Sequence, residues 1–260
     1  MNDAIPAEWA KLTAIRSTPW ALVSLVALTV LLSLLINSGS QTSGCPEGGL
    51  ACDNDLMEMA LGGVYLGQFA VVALGVLAIG SEFASGMLRT TFAATPRRRD
   101  VLAAKAIVIG GLVFACALLA GALSYLAGIS LLQSNGYTEA NGYSPPSGAE
   151  VFRGVAGTAV YLAALALLSL GIGTLLRHTA AAISAVLALL WVPVMIVSMS
   201  EETFRQFAGF CPMLAGMAIQ RTVERPDSVP ISPAGGLLLF CAYTAVALAA
   251  GFWTLQRRDA

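Results

Sequence analysis

Charge is what this chain most lacks. Asp, Glu, Lys and Arg make up 11% of its 260 residues, against about 25% in an ordinary soluble domain. The formal net charge of −1 therefore says little, and the placement of the few charges says more. Histidine occurs once, lysine twice and cysteine five times, with no CxxC pair. One histidine and unpaired cysteines cannot supply a zinc-type ligand set, so no metal site is expected. No GxxxxGK[ST] phosphate loop is present, since Lys11 and Lys105 each follow an alanine. The chain should therefore not bind and hydrolyse ATP by itself, and no cofactor is expected in it. His178 stands in a tight turn with no nucleophile to serve, and reads as a plain loop residue. No catalytic residue is assigned. No polar region is long enough for a second folded unit, so 1–260 reads as a single membrane domain, without a nucleic-acid partner.

Apolar residues are what the chain has in excess, at 57%. They gather in six runs, 18–36, 61–80, 102–128, 155–176, 179–199 and 234–255. Each approaches the roughly 20 residues that a membrane-crossing helix needs. The fold class is thus all-α, a polytopic membrane protein with six transmembrane helices. No charged residue lies in the middle of a run. An ion-coupled transporter needs ionisable or polar coordinating groups at membrane depth, and only scattered Ser, Thr, Tyr and Gln68 are on offer. Small residues recur in the runs: Gly63 and Gly67, then Gly75; Gly171 and Gly173; Ala181, Ala185 and Ala188 on one face of the fifth. Such spacing lets helices approach closely in lipid, within one chain or between two. Pro193 is expected to kink the fifth run.

The charges orient the runs. Lys11, Arg16, Arg89, Arg97, Arg98, Arg99, Lys105, Arg177, Arg257 and Arg258 fall on one side, and only Arg153, Arg205, Arg221 and Arg225 on the other. Basic residues near span ends are retained in the cytoplasm, which places both termini there. The N-terminal stretch Ile5–Ile15 has Trp9, Leu12 and Ile15 at helical spacing, with Glu8, Lys11 and Arg16 largely elsewhere. It suits an amphipathic helix in the membrane interface; a disordered tail or a signal peptide are the alternatives. The first outer loop carries Cys45 and Cys52 on the oxidising side. A disulfide between them would stabilise the loop by about 2.5 kcal/mol, and two free thiols are the alternative. Cys116 and Cys241, inside runs, should be free. Loop 129–150 reads as irregular. The stretch Phe204–Ile219, between the fifth and sixth spans, suggests short helices dipping into the outer face and stopping near Pro212.

The one long polar stretch flanked by apolar runs and strongly basic is Ser81–Lys105, between the second and third runs. Phe83, Met87, Leu88 and Phe92 give it apolar anchors that lipid retention alone would not require. Thr95-Pro96 marks a helix boundary. Glu82 sits at the membrane edge, where it can pair with a nearby Arg. Arg97, Arg98 and Arg99 have two readings, topology and anionic lipid on one hand, a docking surface on the other.

The stretch Gly80-Ser-Glu82-Phe-Ala-Ser-Gly86-Met-Leu-Arg89-Thr-Thr, followed by Ala94-Thr-Pro96-Arg97-Arg98 and Val101-Leu-Ala-Ala-Lys105, resembles the segment after the second span in permeases of the ABC type-2 transporter family. The start, Glu8-Trp9-Ala-Lys11-Leu with Arg16-Ser-Thr and Trp20-Ala-Leu, is similar to that of bacterial members. The resemblance implies a multi-pass protein of the bacterial cell membrane that pairs with a second permease copy or paralogue through its first and fifth spans. It also implies an ATP-binding-cassette ATPase subunit as partner, which would hold the ATP and magnesium. The family exports lipids, glycans, drugs, antibiotics or peptides. The segment after the second span would be a coupling helix, carried by Glu82, Phe83, Met87, Leu88, Arg89, Phe92, Arg97, Arg98 and Arg99. The stretch 204–219 would be the re-entrant helices. A non-transporting membrane scaffold or sensor that docks a cytoplasmic partner is the other class of function these residues admit.

Overall fold

The computed structural model describes residues 4–14, 17–42, 54–86, 98–223 and 228–257, which form helices and connecting turns without strands. Among the described residues ten α-helices run in chain order: α1 (Ala4–Ala14), α2 (Ser17–Gly39), α3 (Leu56–Ala60), α4 (Val64–Ser85), α5 (Arg98–Ser134), α6 (Gly148–Leu176), α7 (Thr179–Val197), α8 (Glu201–Phe207), α9 (Pro212–Met217) and α10 (Pro233–Arg257). Six of them, α2, α4, α5, α6, α7 and α10, are long and apolar enough to cross a membrane. They match the six apolar runs, and several extend further than the apolar letters. The third, α5, is 37 residues long, because Asp100 and Lys105 at one end and Gln133 and Ser134 at the other continue the helix. Loop 129–150 is shorter than the composition suggests. It holds one 3₁₀ turn at Glu139–Asn141, and Ser147 opens α6 with a capping box completed by Glu150.

α4 and α6 stand at the centre and the other spans surround them. α6 packs on α4, α5, α7 and α10, and α2 packs on α4 and α5. Lipid is as apolar as leucine, so close approach of backbones, rather than the hydrophobic effect, holds such helices together. The glycines show where this happens. A Cβ at Gly63 would collide with the Thr29 backbone of α2, and one at Gly75 with the Ala166 carbonyl of α6. Leu162, Leu165 and Leu168 of α6 and Val72 and Val76 of α4 are fully enclosed. The Tyr161 hydroxyl donates to Gln68 Oε1 at 2.9 Å across the α4–α6 seam, and its ring stands 4.7 Å from that of Phe240 on α10.

The face of α7 that meets the bundle is Ala182, Val186 and Leu190, one turn apart, with Val197 two turns further on. Ala181 and Ala188 of the small-residue face point outward. Pro193 lies inside this helix. Between α6, α7, α10 and the α8–α9 region runs an apolar cleft of about 860 Å³, lined by Ile172, Leu189, Pro193, Ile196, Phe207 and Val246 among others. The short helices expected between the fifth and sixth spans are present as α8, a 3₁₀ turn, α9 and a second 3₁₀ turn. Pro212 starts α9 rather than stopping the segment, since proline costs nothing in a first turn whose N–H groups have no helical acceptor. Cys116, Cys211 and Cys241 are free thiols.

Candidate functional site

The charges that the sequence distributes along the chain meet at the two ends of the bundle. The larger cluster lies where α4 ends, α5 begins and α1 packs on α5. Lys105 is about two turns into α5 and only 1% exposed, with Glu8 at 2% and Glu82 at 6%. Its Nζ donates to Glu8 Oε2 at 2.5 Å and to Glu82 Oε1 at 2.9 Å. Lys11 donates to Glu8 Oε1 at 2.8 Å and lies 3.6 Å from Glu82 Oε1. Two carboxylates and two ammonium groups thus balance, which is what permits charge to be buried at all. Burial alone would raise the Glu8 carboxyl. The Lys105 charge beside it, with the bonds from Lys105 and Lys11, outweighs burial and holds it below its ordinary 4.5. Burial likewise pulls Lys11 down, and the bond to Glu8 with the charge of Glu82 carries it above its ordinary 10.5.

This geometry sets Glu82 against two lysines, Lys105 and Lys11, and revises one reading. Glu8 is not on the outer side of α1: it turns inward with Leu12, which is 4% exposed, while Trp9 is 51% exposed. The face of α1 that meets the bundle is set by the cation waiting on α5, not by its apolar spacing alone. Three elements far apart in sequence are tied at one point, 97 residues separating Glu8 from Lys105.

Phe83 follows Glu82 and is half-buried, with the Arg177 guanidinium over its ring. Arg177 and His178 form the two-residue connection between α6 and α7, and His178 is more than a loop residue. Its Nδ1 accepts the Ala181 amide at 3.3 Å and so caps α7. Of the remaining expected docking residues, Met87, Leu88, Arg89, Phe92 and Arg97 lie outside the described residues. Arg98 and Arg99 open α5, with side chains that are also outside them. Cys45 and Cys52 lie outside the described residues as well.

A second cluster closes the opposite end. Asp55, 1% exposed, accepts from the Met57 and Glu58 amides and so caps α3. The same carboxylate accepts from the Thr222 amide, from the Thr222 hydroxyl at 2.8 Å and from the Val223 amide at 2.9 Å. Arg221 beside it donates to the carbonyls of Val229 and Ile231, while its own carbonyl accepts from Arg153. One carboxylate therefore joins the approach to α4 with the exit from α9, and one guanidinium bridges toward the start of α10. No group of three or more His, Cys, Asp or Glu able to hold a metal ion occurs among the described residues. No protein-family model matches the chain, and no curated protein matches it significantly.

Proposed function

We propose that this chain is the membrane permease subunit of an ATP-binding-cassette transporter, exporting a drug, antibiotic, peptide or lipid-like substrate with energy supplied by a separate ATPase subunit. The observation that carries the reading is the buried Glu8–Lys105–Glu82–Lys11 cluster. It fixes the helix ends on both sides of the basic segment 87–97, together with the N-terminal helix, into one base. A force applied to that segment by a soluble partner is then passed to α4 and α5 rather than absorbed locally. The buried charged side chains of the described residues lie toward the bundle ends, so the energy source is assigned to the partner. The motif resemblance of 80–105, the six apolar helices and the short helices between the fifth and sixth of them support the same reading. The outward faces of α2 and α7 are the surfaces assigned to the second permease copy.

Co-purification tests this. With the ATP-binding-cassette subunit co-expressed, Met87→Ser and Phe92→Ser should leave membrane insertion intact, weaken capture of the ATPase and lower transport-coupled ATP hydrolysis. Unchanged capture and stimulation would remove these residues from the coupling surface. Failure of any such ATPase to bind the parent protein would overturn the permease reading in favour of a scaffold or sensor.

A further inference from the structure

We propose that Arg177 is a positioning residue that holds the last turn of α4, so that the segment after Gly86 leaves the bundle from a base gripped on both sides. Four observations converge on it. First, Arg177 has φ 54 and ψ 14, and it is the non-glycine residue of positive φ among the described residues. It occupies the end of α6, its amide donating to the Gly173 carbonyl at 3.0 Å. Glycine takes this left-handed position without strain, whereas any residue with a Cβ resists it. What arginine supplies there and glycine cannot is its guanidinium, whose carbon lies 5.3 Å from the centroid of the Phe83 ring. That is within the roughly 6 Å over which a cation is drawn to an aromatic face.

Second, Phe83 and Glu82 are consecutive on a helix, so their side chains diverge. Glu82 is bound to Lys105 and Lys11, and Phe83 to Arg177. The end of α4 is thus held by α1 and α5 through one residue and by the α6–α7 connection through the next. Third, the backbones are built to meet here. A Cβ at Gly80 would collide with the Thr179 side chain at the start of α7. Fourth, the connection is itself braced, His178 capping α7 immediately after Arg177 has ended α6.

The functional consequence rests on the permease reading; the structural one does not, and the experiment separates them. Arg177→Gly removes the guanidinium and relieves the backbone. Phe83→Leu removes the ring and keeps an apolar side chain. In the purified protein, hydrogen exchange of the 79–86 amides should quicken about three- to fivefold in each variant, the size of one partly exposed cation–π contact. The double variant should be no faster than either single one. The melting temperature of Arg177→Gly should equal or exceed the parent's, an outcome that a merely structural arginine would not give. With a co-purifying ATP-binding-cassette subunit, Arg177→Gly should keep binding while coupled ATP hydrolysis falls. Unchanged exchange at 79–86, or exchange raised throughout with a lower melting temperature, would overturn the proposal. Faster exchange with undiminished coupling would overturn its functional half. Absence of a binding ATPase would count against the permease reading alone, since the exchange result stands without it.

Discussion

A single lysine carries most of the charge balance at one end of this molecule. Lys105 faces Glu8 and Glu82 with almost no contact to solvent. Lys105→Met should leave the two carboxylates with the partly exposed Lys11 but without the buried cation between them. Breaking a buried pair from one side costs about 3–5 kcal/mol, so the variant should show a clearly lower melting temperature and a protease-sensitive N-terminus. The double variant Glu8→Gln with Lys105→Met removes opposite charges together and should recover part of the loss. Acid should act at the same place. Glu8 titrates below 4.5 when folded, so its contribution is complete above that value and is lost as pH falls through the lower one. Lys11 titrates above 10.5 when folded, so its share is complete below that value and is lost as pH rises through the higher one. Docking of α1, followed by Trp9 fluorescence, should therefore hold between pH 4.5 and 10.5 and weaken as pH falls below or rises above that window. This cluster was only half legible in the sequence. Lys105 lies inside an apolar helix, and a cation there calls for a carboxylate. Nothing local names Glu8 as that carboxylate, because a contact 97 residues away leaves no periodic trace.

At the scale of elements, the spans were legible because an apolar run of 20 residues has few other fates, and their packing was legible in part. Gly63 and Gly75 do mark close approaches, to α2 and α6. The alanine row of α7 marks none within this chain: Val186 and Leu190 pack inward, while Ala181 and Ala188 face out. Spacing tells which residues share a face, not which face the neighbours take. Asp55 was similarly ambiguous, since an acidic residue in a loop looks solvated. The signal was its place before Leu-Met-Glu58, an N-cap pattern at the start of α3. Asp55→Ala should cost about 3 kcal/mol, from the lost cap and the charged hydrogen bonds to 222–223, and should expose the 222–232 segment to protease. Gly75→Val should be worse for assembly than Gly111→Val, because a side chain at Gly111 meets nothing within 4 Å. Detergent-stable yield would tell them apart.

For the whole molecule, the uneven enclosure of the spans is the main clue to assembly. α4 and α6 are mostly enclosed, whereas α2, α7 and α10 turn most of their surface outward. A cysteine placed at Ala188 in a background free of native thiols should give a covalent dimer on oxidation if α7 lines the contact between copies. Persistence of monomer at that position and along α2 would place the partner elsewhere. Orientation has its own readout. Cysteines at Gly48, Asn141 and Asp227 should react with impermeant reagent in intact cells, and cysteines at Arg98 and Arg258 should not. The charge cluster also bears on how the chain is made. Glu8, Lys11 and Glu82 leave the ribosome before Lys105, so the first two apolar helices reach the translocon with both carboxylates of the cluster and one of its two lysines. The cluster is complete once α5 has begun to emerge. Synthesis of α5 is therefore the step that lets the N-terminal helix dock, and a nascent chain stopped before residue 105 should be a preferred target for quality-control proteases.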